Sequence, residues 1–131
     1  MRRRFIPALL LATLSACGGI VDPSNNQNES FSGTIQFQGA GPLHTFNVAK
    51  SGEISVVVNS LTPTVSSGTL FEVVYGQVIS GQCATINVNQ FAVAGATVVS
   101  GAIVPGQYCI QLVDEGFFRQ SENYTMTVSH P

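Results

Sequence analysis

Gly106-Gln107-Tyr108-Cys109-Ile110-Gln111-Leu112-Val113 and, after a loop, Tyr124-Thr125-Met126-Thr127-Val128 decide the fold. In the second segment apolar and polar residues alternate strictly. In the first, Tyr108, Ile110 and Leu112 share one parity, and Cys109, Gln111 and Val113 the other. Successive side chains of a β-strand point to opposite faces, so both segments read as strands with one face toward a core. Pro105-Gly106 is a turn signal ahead of the first strand, and residues 114–122 form the loop between the two.

Working outward, turn signals recur about every ten residues from Phe31 onward. Phe31, Gly33, Ile35 and Phe37 share one face. His44, Phe46 and Val48 share the next, and Ile54, Val56 and Val58 a third that ends at Asn59-Ser60 and Pro63. The run LFEVVY (70–75) is more continuously apolar, as expected of a central strand. Residues 86–91 and 96–104 read as two short strands. Seven or eight antiparallel strands at this spacing predict an all-β, Ig-like β-sandwich over residues 31–131. Residues 18–30, rich in Asn, Ser and Gly without apolar periodicity, read as a flexible tether.

Composition agrees with one all-β domain. Of 131 residues, 44% are hydrophobic and only 9% charged, which excludes a highly charged disordered chain. Thirteen Gly, six Pro and few Lys, Glu or Arg argue against a helical bundle. The chain starts with three arginines, Arg2 to Arg4, followed by an apolar run at 5–14. Ten residues rise about 15 Å as a helix, half of a bilayer core of ~30 Å, so the run reads as a secretory signal and not a spanning helix.

The next residues, Leu14-Ser15-Ala16-Cys17, resemble the lipobox of bacterial lipoproteins, a Leu, two small residues and a Cys at this distance from the start. The resemblance implies a signal peptide over 1–16 cut after Ala16, a diacylglyceryl group on the Cys17 sulfur and an acylated new amino terminus. Two acyl chains, at about 0.8 kcal/mol per buried CH₂, anchor stably. Gly18 in place of an Asp after the Cys implies the outer membrane of a bacterial envelope. Without residues 1–16, Lys50 and Arg119 face seven carboxylates, a net charge of −5. That argues against nucleic acid and against a polybasic membrane patch, leaving the lipid as the membrane contact.

With Cys17 lipidated, Cys83 and Cys109 remain as a pair in an oxidising compartment. A disulfide between them is the expected reading. The alternative, a metal site, needs further soft ligands, and the only histidines are His44 and His130.

FSGTIQF (31–37), His44-Thr45-Phe46-Asn47-Val48 before Ser51-Gly52, PGQYCIQLVD (105–114) and NYTMTV (123–128) together resemble the bacterial pre-peptidase C-terminal (PPC) family. Domains of that family have a strand, a Gly, a strand starting Gly-x-Tyr, and a final Tyr-x-x-x-Val strand. The resemblance implies a jelly-roll-like sandwich of the kind appended to secreted enzymes, some relatives of which bind collagen or carbohydrate. No peptidase accompanies the domain in this chain.

Chemistry is sparse. No Gly-x-Ser-x-Gly elbow occurs. His44, beside Phe46 and Val48, reads as a packed, hydrogen-bonded histidine, and His130 as part of a mobile end. The acids Glu53, Glu72, Asp114, Glu115 and Glu122 are scattered, and Asp114-Glu115-Gly116 reads as a turn and not a calcium loop. No catalytic residue, metal site or cofactor is expected. The sequence singles out Phe117-Phe118-Arg119, because two consecutive aromatics cannot both point inward from a strand and an exposed aromatic beside Arg is an interface anchor. Alanine at both Phe117 and Phe118 is expected to abolish partner binding with the fold intact.

These readings describe a lipid-anchored, non-catalytic envelope protein acting as an interaction module, its partner an envelope protein or glycan. A structural spacer, or an accessory subunit or inhibitor of a secreted peptidase, is the alternative.

Overall fold

The computed structural model describes residues 20–131. The signal at 1–16 and the lipidation of Cys17 lie outside the described residues. After a 3-10 turn at Pro23–Asn25 come eight strands: β1 (Gln27–Ile35), β2 (His44–Val48), β3 (Gly52–Thr62), β4 (Phe71–Ile79), β5 (Gln82–Ala92), β6 (Thr97–Ile103), β7 (Gly106–Val113) and β8 (Glu122–His130). They form two antiparallel four-stranded sheets, ordered β1-β8-β3-β6 and β2-β7-β4-β5. The chain is the all-β sandwich its alternation predicts. Among the described residues, no helix is long and apolar enough to cross a membrane.

The core lies between the sheets and is made of the predicted inward rows. Ile54, Val56 and Val58 of β3 join Tyr124, Met126 and Val128 of β8 from one sheet. Phe46 and Val48 of β2, Phe71, Val73 and Tyr75 of β4, and Tyr108, Ile110 and Leu112 of β7 close on them from the other. Each such buried side chain contributes roughly 1.5–3 kcal/mol of transfer free energy. Phe46, Tyr108 and Tyr75 stack in series across β2, β7 and β4, with centroids 5.9 and 5.8 Å apart.

Three differences from the sequence expectations bear on how the strands pair. Gln27 to Ser30, expected to lie ahead of the sandwich, already pair with His130 to Thr127 in β1, and the Val21 N–H donates to the Ser51 carbonyl. Backbone pairing does not need apolar side chains, so a polar edge strand leaves little periodic signal. β3 does not end at Asn59-Ser60. The register shifts between Val58 and Ser60, a bulge that moves the inward parity from Val58 to Leu61 and carries the strand to Thr62. Third, His130 is fully buried as the last residue of β8, its Nε2 2.8 Å from Glu29 Oε1 of β1. Strand pairing holds the chain end in place.

Cys83 and Cys109 are joined in a disulfide, with Cα atoms 5.9 Å apart. The two residues sit on β5 and β7, the strands flanking β4, which regular spacing holds about 9.5 Å apart. β5 therefore folds over β4 at Gly76, which faces Cys109 in register and follows a register shift at Tyr75. A Cβ at Gly76 would stand 2.3 Å from the Ala84 carbonyl oxygen and 3.1 Å from Cys83 Sγ. Only glycine permits that approach.

Candidate functional site

The loop between β7 and β8 is built around Asp114. Its Oδ1 accepts from the backbone N–H groups of Gly116, Phe117 and Phe118 at 2.9, 2.8 and 3.1 Å. Its Oδ2 accepts from Gln38 N–H at 2.8 Å, which fastens the loop to the turn after β1. Gly116 takes φ +98°, so the chain reverses there without Cβ strain. Both carboxylate oxygens are thus engaged by backbone donors, the turn role expected of Asp114. Glu115 beside it is exposed.

Burial acts to raise the Asp114 carboxyl, but the four N–H donors outweigh it and hold the group below its ordinary range. A carboxyl depressed in the fold adds stability above its unfolded value of about 3.9, and that stability is lost as pH falls through the lower folded value. Asp114→Asn, which turns a donor toward the Gln38 N–H, is expected to cost about 2 kcal/mol at pH 7. Urea midpoints at pH 7 and pH 3 check this, because the gap between variant and wild type narrows in acid.

The network sets the two aromatics on opposite sides. Phe118 is 4% exposed and packs against Phe71, with centroids 6.4 Å apart. Phe117 is 54% exposed, and Arg119 is exposed next to it. The expectation that both phenylalanines can be replaced with the fold intact is therefore corrected: Phe118 is a core residue. Phe118→Ala is expected to cost about 3–4 kcal/mol, whereas Phe117→Ala stays within about 0.5 kcal/mol. Thermal melts of the two single variants separate them.

Phe117, Phe118 and Arg119 line a hollow of about 260 Å³ with Pro63, Val65 and Thr69 of the β3–β4 loop. That loop is closed locally, the N–H and Oγ1 of Thr69 both donating to the Ser66 carbonyl, at 3.0 and 2.7 Å. Glu122, the first residue of β8, also lines the hollow. It is 3% exposed, and its Oε2 is buried without a hydrogen-bond partner. In the sequence Glu122 is one of several scattered acids. The signal that finds it is parity, because Glu122 falls on the inward row of Tyr124, Met126 and Val128.

The histidines stand apart from this hollow. His44 Nε2 is hydrogen-bonded to the Tyr124 hydroxyl, and its ring lies 4.9 Å from that of Phe31. Burial pushes His44 down and Tyr124 up to about 12, which keeps both neutral at pH 7. Among the described residues, no three of His, Cys, Asp and Glu come together as metal ligands.

A second apolar surface lies on β5, an edge strand that carries Ile86, Val88 and Phe91 exposed and no charged residue. It borders a cleft of about 460 Å³ against β6, the edge of the other sheet. β5 lacks the charges and prolines that usually protect a sheet edge. Unlike the Phe117 loop, it joins no cation and no unpartnered buried group to its apolar side chains.

No protein-family model matches the chain, and no curated protein matches it.

Proposed function

We propose that this protein is a lipid-anchored, non-catalytic module of the bacterial envelope that binds a partner through the loop carrying Phe117 and Arg119. The observation that carries this reading is the exposed Phe117 ring on a loop held by four hydrogen bonds to Asp114. Rigid aromatic anchors beside a cation lose little conformational entropy on binding and are enriched at interface hot spots. The signal pattern and the Leu14-Ser15-Ala16-Cys17 lipobox support attachment by lipid, with Gly18 favouring the outer membrane. The Gly106-x-Tyr108 and Tyr124-x-x-x-Val128 patterns of the PPC family support a module carried outside the cytoplasm.

The test is to immobilise the oxidised protein and screen envelope extract, peptidoglycan and a glycan panel. A Phe117→Ala, Arg119→Ala variant serves as the control, because both side chains are exposed. A saturable partner whose affinity falls at least tenfold in the variant is expected. A well-folded protein that retains no partner, or a partner indifferent to the variant, would replace this reading with a spacer lacking a ligand at this loop.

A further inference from the structure

The chain enters the sandwich at one pole. The Val21 N–H donates to the Ser51 carbonyl at 2.9 Å, and a Cβ at Gly52 would stand 3.2 Å from the Val21 carbonyl oxygen, so Val21 is packed on the β2–β3 turn. Gly52 pairs with Ile103, which puts the β6–β7 turn at the same pole. Gln77 pairs with Tyr108, and just beyond it the β4–β5 hairpin turns there too, at Ser80 and Gly81, both with positive φ. Ile20, Ile79 and Val104, one from each of these approaches, are more than half exposed. The exposed Lys50 and Asp22 beside them are opposite in sign.

Chain length decides what this pole can meet. Four peptide units join Cys17 to Val21 and reach at most about 14 Å, however they are arranged. An acyl anchor at Cys17 starts at the edge of the hydrocarbon, beneath a headgroup layer of roughly 5–8 Å. Val21 is therefore held within about 10 Å of the outer headgroup surface. Phe117, at the far end of β7, belongs to the opposite pole, about 24 Å away along eight strand residues. That pole also exposes Phe37 and Leu43, but resting it on the bilayer would carry Val21 beyond the reach of its anchor.

We infer that the pole of Ile20, the β4–β5 hairpin and the β6–β7 turn rests on a zwitterionic lipid surface, with Ile79 and Val104 in the headgroup layer, an assignment that rests on the reading of Cys17 as lipidated and adds which face the anchor brings down. Held this close, a contact too weak to bind a free domain suffices, because the anchor makes it intramolecular. Opposite charges at the pole, and a net charge of −5 without residues 1–16, leave apolar contact as the attraction. The Phe117 loop is thereby directed away from the membrane.

The chain contains no Trp, so a single introduced indole reports one position without background. The mature lipidated protein is purified from a bacterial host and placed in phosphatidylcholine vesicles with or without brominated acyl chains. In vesicles, Ile79→Trp and Val104→Trp are expected to emit at shorter wavelength. Brominated lipid is expected to quench them about fivefold more than Phe117→Trp, and raised salt to leave this unchanged. All three sites are exposed, which favours intact folds. A wild-type arm decides where a variant does not fold. In nanodiscs of the same lipid carrying a gadolinium headgroup, amides of residues 79–81, 104 and 106 broaden and those of 116–118 do not.

Quenching of Phe117→Trp as strong as that of the other two overturns the inference, and so does quenching that salt abolishes. Absence of quenching and broadening at every position also overturns it. If the protein's mass then shows the acyl chains, the anchor stands and only the seated face is removed. A mass without acyl chains removes both.

Discussion

Gly76→Ala is expected to destabilise the protein by roughly 3 kcal/mol or more. The added Cβ would stand 2.3 Å from a backbone oxygen, that of Ala84, which no side-chain rotation can relieve. Either β5 lifts off β4 or the Tyr75–Gly76 register shift is redrawn, and both disturb the approach of Cys83 to Cys109. A total stability of 5–15 kcal/mol is usual for a domain, so this loss is a large share of it. Equilibrium urea unfolding of the oxidised variant checks the result, read as a lower midpoint at an unchanged slope.

The second large effect is loss of the Cys83–Cys109 bond. Its sequence separation of 26 corresponds to about 3.5 kcal/mol of loop-closure entropy on the chain-entropy model. Cys83→Ala with Cys109→Ala is expected to lower Tm by roughly 10–20 °C, and reduction of the wild-type protein to do the same. The two predictions are coupled. The bond draws β5 over Gly76, so without it β5 can relax and the cost of Gly76→Ala shrinks. A double-mutant cycle is expected to show a summed effect smaller than its parts. Full additivity would mean that β5 lies over Gly76 whether or not the bond is present.

Much of the fold is legible in alternation alone. Tyr108, Ile110, Leu112, Tyr124, Met126 and Val128 point inward because a strand's two faces are set by residue parity, and parity is a property of the sequence. The bulge at Asn59 was not legible, since it shifts parity inside a run that a turn signal had already closed. The start of β1 was hidden for a different reason: Gln27 to Ser30 are held by backbone pairing to β8, which their side chains do not advertise.

The candidate site divides along the same line. One of two adjacent phenylalanines had to leave the core, but the choice of Phe117 as the exposed ring came from the three N–H bonds to Asp114 Oδ1. That Asp114 serves a turn is local chemistry and readable in place; that it also holds Gln38, 76 residues away in sequence, is not. Glu122 shares the inward parity of β8, yet its isolation depends on the β3–β4 loop arriving beside it.

By itself, then, the sequence determined what depends on neighbours along the chain: the all-β class, the inward rows and the Asp114 turn. The pairing of Cys83 with Cys109, inferred from cysteine arithmetic, stands between the two levels. Tertiary structure alone decided which strands lie beside one another, that β5 crosses over Gly76, and that Glu122 is buried without a partner next to an exposed aromatic. The physical reason is range. Parity and turn propensity act over a few residues, whereas burial and unpartnered polar atoms are set by segments that meet only once the two sheets have closed.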